Sequence, residues 1–99
     1  MAYSIVWSRT SLKDLKSIVR YIAQDSPLRA ESFGYRIITK IEILTDYPEL
    51  GRIVPEFHLD YLREIIVSPY RVVYKVDHVL GHIEIARVWH AARGEPDLP

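Results

Sequence analysis

Between Leu62 and Arg93 the chain carries five cations (Arg63, Arg71, Lys75, Arg87 and Arg93) against three carboxylates (Glu64, Asp77 and Glu84). A guanidinium presents its donors in a fixed planar fork, so arginines on neighbouring segments are suited to gripping carboxylates or phosphates of another macromolecule. Each also has a plainer use. Arg71 could pair with Glu64, Arg63 and Glu64 could form a solvated ion pair, and Arg93 could cap a strand. Arg87 shares a strand with Ile83, Ile85 and Trp89, and if buried it needs a partner, because an unpaired buried charge is not tolerated.

Other chemistry is thinner. His78 and His82 flank a turn with Asp77, a donor set that zinc accepts. The turn is short and the pattern unspecific, so no metal and no cofactor are expected. The chain has no cysteine, which removes thiolate metal sites and a disulfide framework and makes the cytoplasm the expected compartment. There is no G-x-x-x-x-G-K-S/T phosphate loop, no G-x-S-x-G elbow and no G-x-G-x-x-G. Tyr70, Tyr74 and Trp7 could stack on bases, but their period-2 spacing is that of a core.

The scaffold is small. Ninety-nine residues, 48% hydrophobic and 26% charged, suit one folded domain over 1–99 and exclude a disordered chain. Thirteen basic residues balance 13 acidic ones, so no strong global attraction to nucleic acid exists. No apolar run approaches the roughly 20 residues that span a bilayer, and no membrane association is expected.

Tyr3 to Trp7 alternates and is rich in β-branched and aromatic residues, which predicts a strand. Ser11, followed by Asp14, marks a helix start, and Leu12, Leu15, Ile18, Val19 and Ile22 give that helix an apolar stripe ending near Asp25. Ser26-Pro27 starts a second helix, because proline's missing N–H is not needed in the first turn. Its stripe is Ala30, Phe33, Ile37, Ile41 and Leu44, widened by Ile38 and Ile43, and Pro48 and Gly51 end it. After an irregular stretch come Leu62 to Val67, Tyr70 to Val76 and His82 to Trp89, whose short connections predict an antiparallel meander. The expected fold is α+β, in the order β-α-α-β-β-β. A helical hairpin covers one face of an antiparallel sheet, the other face is bare, and the tail 94–99 is frayed.

On that element order, four segments carry a resemblance over nearly the whole chain: D-L-K-S-I-V-R-Y-I-A-Q-D-S-P from Asp14, P-E-L-G-R from Pro48, R-E-I-I-V-S-P-Y-R-V-V-Y-K-V from Arg63, and I-E-I-A-R-V-W-H-A-A-R from Ile83. Together they resemble the RelE/ParE superfamily, the toxin halves of type II toxin–antitoxin pairs. The resemblance implies one of two activities. RelE-like members cut mRNA, usually in the ribosome, whereas ParE-like members bind DNA gyrase and stall it with DNA cleaved. S-P-Y-R and V-W-H-A-A-R look more like the ParE branch, which makes a non-enzymatic gyrase inhibitor the first expectation. A metal-independent endoribonuclease is the second, and an inactive relic that acts only in a repressor complex is the third.

Metal-free RNA cleavage needs a base for the 2′-hydroxyl, cations at the phosphate and an acid for the leaving oxygen. The resemblance implies Glu56 as base, Arg71 with Arg63 as clamps and His90 as acid. Two departures count against it. No aromatic follows Trp89, and Arg52 is the only cation between Lys40 and Arg63. Arg87 and His90, three apart, also point to opposite faces of an unbroken strand. The resemblance further implies a cognate antitoxin whose acidic and apolar segment wraps the toxin and lays carboxylates on Arg63, Arg71, Arg87 and Arg93, in a heterotetramer or a larger complex.

Overall fold

The computed structural model describes residues 2–98. Strand β1 (Ser4–Trp7) leads into helices α1 (Arg9–Asp25) and α2 (Pro27–Glu42), a short 3₁₀ turn, and strands β2 (Arg52–Ile53), β3 (Leu62–Val67), β4 (Tyr70–Asp77) and β5 (His82–His90). The helical hairpin and the β3-β4-β5 meander are as the sequence predicts.

The sheet is not wholly antiparallel and has a fifth strand. Its order is β1-β5-β4-β3-β2, and β1 runs parallel to β5, from Ser4 opposite His82 to Trp7 opposite Ile85. The two helices between β1 and the meander supply the long crossover that a parallel neighbour needs. β2 arises because Gly51 lets the chain approach β3 closely. A Cβ there would lie 2.5 Å from the Glu64 carbonyl oxygen and 2.6 Å from the Tyr74 hydroxyl, so only glycine fits.

Helix α1 starts three residues before the expected point. Ser8 is its N-cap and accepts from the Ser11 N–H, while Ser11 itself is buried within the first turn. Ser26 caps α2 ahead of Pro27, as expected. The α2 stripe of Ala30, Phe33, Ile37 and Ile41 is buried, at spacings of three and four. Ile38 and Ile43 are exposed rather than part of the stripe. Leu15, Ile18, Val19 and Ile22 of α1 join them over Val72, Tyr74, Val76, Ile83, Ile85 and Val88, forming the main core.

The opposite face of the sheet is not bare. Val54, Leu62, Val73 and Ala86 form a second cluster, closed by Phe57 from the 54–61 loop and by Leu98. The tail is therefore not frayed over 94–98. Gly94 turns with φ of 77°, a conformation glycine adopts without strain, and Pro96 beyond it is buried. Small apolar outward-facing residues give the tail a surface to cover. Pro99 lies outside the described residues. No helix among the described residues is long and apolar enough to cross a membrane.

Candidate functional site

β4 sets the geometry, because its successive side chains alternate between faces. Val72, Tyr74 and Val76 enter the helix-side core, so Arg71, Val73 and Lys75 face outward. In β3, Leu62, Glu64 and Ile66 stand opposite Lys75, Val73 and Arg71 and share that outer face. Glu64 is thus diagonal to Arg71, within reach of a long side chain.

The pair is buried and extended at both ends. Arg71 Nε donates to Glu64 Oε1 at 2.6 Å, and its Nη groups donate to both carboxylate oxygens of Glu56 at 2.7 and 3.0 Å. Arg52 donates to Glu64 Oε2 at 2.6 Å. The Glu64 side chain is 0% exposed and that of Arg71 7%, against 59% for Arg52. Arg71 also donates to the Gly94 carbonyl, so the chain Arg52–Glu64–Arg71–Glu56 ties β2, β3, β4, the 54–61 loop and the tail together. The hydrogen bonds from Arg71 hold the Glu56 carboxyl below its usual range. Glu56 in turn, reinforced by Glu64, raises the Arg71 guanidinium further above its own.

The remaining arginines are engaged elsewhere. Arg63 faces the helix side at the sheet edge. It donates to the carbonyls of Asp60 and Gly51 and pairs with Glu49 at 3.3 Å, not with Glu64. A side-chain pair between Arg63 and Glu64 is ruled out by strand alternation.

Arg87 forks onto Asp14 at 2.8 and 3.0 Å and donates to the Asp97 carbonyl at 2.6 Å. Asp14 raises the Arg87 guanidinium above its ordinary value. Asp14 Oδ2 also accepts the Val88 N–H, because β1 ends opposite Ile85 and leaves that edge of β5 open. The guanidiniums of Arg87 and Arg93 lie 4.8 and 3.7 Å from the Trp89 ring centroid. The four arginines proposed to form one gripping set are therefore divided between networks, and three of them are saturated within the monomer.

His90 lies on the other side of the sheet from Arg71. In the β4–β5 register Tyr70 pairs with His90 and Arg71 with Trp89. Tyr70 packs edge-on against both Phe33 and His90, and burial raises its phenol above the usual value. His90 Nδ1 accepts the Ala92 N–H. A bulge at Ala86, where Tyr74 pairs with Ile85 and Val73 with Arg87, comes before Arg87 and leaves Arg87 and His90 on opposite faces. The base, clamp and acid implied for RNA cleavage are not assembled. Glu56 and Arg71 neutralise each other, and His90 faces away from both.

At the β4–β5 turn, Asp77 Oδ1 accepts the Val79 and Leu80 N–H groups, and the Tyr3 hydroxyl and His78 Nδ1 share a hydrogen bond of 2.6 Å. Among the described residues no three His, Cys, Asp or Glu side chains converge as metal ligands. Sequence reasoning missed Asp14 and Arg52 as network members. Asp14 lies three residues after the buried Ser11 and four before the core-packed Ile18, on the same helix face, which is an inward signal for a carboxylate.

With this geometry in view, the comparisons with known proteins are specific. A family model described as the ParE toxin of the type II toxin–antitoxin system parDE matches residues 5–94. Toxin RelE2 of Caulobacter vibrioides is 41% identical over 90 residues, which is 90% of this chain and 96% of that protein. Among solved structures, the chromosomal ParDE toxin–antitoxin system from P. aeruginosa has a chain that superposes with a TM-score of 0.71 at 21% identity, covering 90% of this chain and 96% of that one. The RelBE2 toxin–antitoxin complex from Mycobacterium tuberculosis gives a TM-score of 0.62 at 18% identity, covering 91% and 99%.

Proposed function

This chain belongs to the ParE toxin family of type II toxin–antitoxin systems, and from that premise we propose that it is a cytoplasmic toxin acting by protein–protein binding on DNA gyrase and held inactive by a cognate antitoxin. The supporting observation is the separation of Arg71 from His90. Arg71 is locked outward between Glu56 and Glu64, and His90 faces the helix side. A nuclease has to bring its cation and its acid to one phosphate, whereas an inhibitor that works by contact has no such requirement.

The test is a paired measurement after induction without antitoxin. Gyrase supercoiling and cleavage are assayed beside primer extension on cellular mRNA. The expected result is accumulated gyrase-cleaved DNA with intact transcripts. Codon-biased mRNA cuts that vanish in His90→Ala would overturn the proposal in favour of an endoribonuclease. Normal growth on induction would mark a relic that serves only in a repressor complex.

A further inference from the structure

Strand β1 is one outer edge of the sheet, and its backbone groups divide by parity. In a parallel pair, alternate residues turn both N–H and C=O toward the neighbour. The Ser4 and Ser8 N–H groups reach the Gly81 and Ile85 carbonyls, so Ser4, Val6 and Ser8 face β5. Tyr3, Ile5 and Trp7 face the other way. The Tyr3 N–H, 2.8 Å from the Thr45 carbonyl oxygen, marks that outward direction. Beyond it, the N–H and C=O groups of Ile5 and Trp7 meet no partner among the described residues.

Sheets usually guard such an edge with charge, proline, a bulge or a very short strand. The opposite edge is guarded, since β2 has two residues and one of them is Arg52. β1 is not. From Tyr3 to Ser8 the chain reads Y-S-I-V-W-S, with no charge and no proline, and its register on β5 is unbroken. Val6 points to the outer face and is 43% exposed.

The open stretch is its own complement. A two-fold axis through Val6 sets Ile5 opposite the second copy's Trp7, and Trp7 opposite its Ile5. Each pair exchanges both backbone bonds, which uses every outward group of the two residues. The two Val6 side chains then meet as a non-hydrogen-bonded pair, with Cα atoms about 4.5 Å apart. No like charges are brought opposite each other, and a charged strand would find no counter-charge along this stretch.

We propose that β1 pairs antiparallel with β1 of a second copy about a two-fold at Val6, joining the two sheets into one. The proposal adds a self-association surface and does not depend on the target named above. The contact is smaller than the roughly 1,200 Å² of a standard interface. The dimer is therefore weak, populated at about 100 μM and dispersed near about 1 μM.

The test is sedimentation of the purified 99-residue chain across that range, with Val6→Lys as the edge variant. A lysine there stands beside Glu84, its neighbour in the β5 register, so the monomer keeps its fold, as circular dichroism melts verify. Across the axis two lysines would face each other. Ile66→Lys, at a β3 residue 47% exposed, makes the same charge change elsewhere. Dimer affinity is expected to fall about 10-fold or more in Val6→Lys and to stay within about threefold in Ile66→Lys.

A second measurement reads the register itself. The chain has no cysteine, and a 4.5 Å Cα separation lies within disulfide reach of about 4.4–6.8 Å. Val6→Cys should oxidise to a covalent dimer about 10-fold faster than Ile66→Cys. A wild type that is monomeric throughout the range overturns the proposal, as does a dimer that Val6→Lys leaves intact, or equal oxidation rates. A monomer whose binding to the protein encoded beside its reading frame is lost in Val6→Lys would give the edge to that partner and overturn it as well.

Discussion

Arg71 and His90 sit one register position apart on adjacent strands and project to opposite faces of the sheet. Their substitutions therefore have different consequences. Arg71→Ala leaves Glu64 buried with only Arg52 for company and releases Glu56 and the Gly94 carbonyl. Removing one partner of a buried pair costs about 3–5 kcal/mol. His90→Ala loses an edge-on ring contact and one backbone hydrogen bond, about 1 kcal/mol. Urea denaturation followed by circular dichroism measures both, and His90→Ala is expected to keep its growth-inhibiting activity.

Acid sensitivity follows from Glu56. Its carboxyl is held below the ordinary 4.5 by Arg71, so the folded state binds the proton less readily than the unfolded chain. Its stabilisation is fully present above about pH 4.5 and is lost as the pH falls through the lower folded-state value. Urea midpoints measured from pH 6 downward, in roughly half-unit steps, should fall in the wild type. Glu56→Gln should start lower at pH 6 and lose less across the same interval.

Asp14 closes the free edge of β5, and its removal exposes two dependants at once. Asp14→Ala leaves the Arg87 fork and the Val88 N–H without their acceptor, at a cost of about 2–4 kcal/mol. In a double-mutant cycle with Arg87→Met, the two losses should add to less than their sum. Strict additivity, read from urea midpoints, would show that the pair contributes nothing.

Gly51 and Tyr74 together hold the β2 entry. The Tyr74 hydroxyl donates to the Pro48 carbonyl and accepts the Gly51 N–H. Tyr74→Phe leaves a buried N–H and C=O without a partner, about 1–3 kcal/mol. Gly51→Ala drives a methyl against a backbone oxygen that cannot swing aside. It should detach β2, seen as loss of hydrogen-exchange protection at Val54, whose N–H pairs with the Leu62 carbonyl, while the α2 amides stay protected.

The sequence disclosed the helices and the meander because their signals are local. Ser26-Pro27 and the Phe33–Ile37–Ile41 spacing need no tertiary context. Ser8 was hidden by Ser11 because both precede a plausible first turn, and only the Trp7–Ile85 register decides between them. The parallel β1–β5 pairing and the two-residue β2 leave almost no local pattern. The arginines misled for a related reason. Residue type shows that a guanidinium can bind a carboxylate, but whether that carboxylate is Glu56, Glu64, Asp14 or a partner's depends on which loops fold back over the sheet. The Arg63–Glu64 ion pair expected from the sequence does not form, because strand alternation sends the two side chains to opposite faces, whereas the same alternation aligns Arg71 with Glu64 across the outer face.

The parallel β1–β5 contact has a mechanical corollary. A degradation machine that pulled at residues ahead of β1 against the body of the molecule would load the hydrogen bonds from Ser4–His82 to Trp7–Ile85 in shear, so that they resist together. An antiparallel hairpin pulled from its open end would unzip one bond at a time. A toxin built with this clamp resists forced extraction from that end.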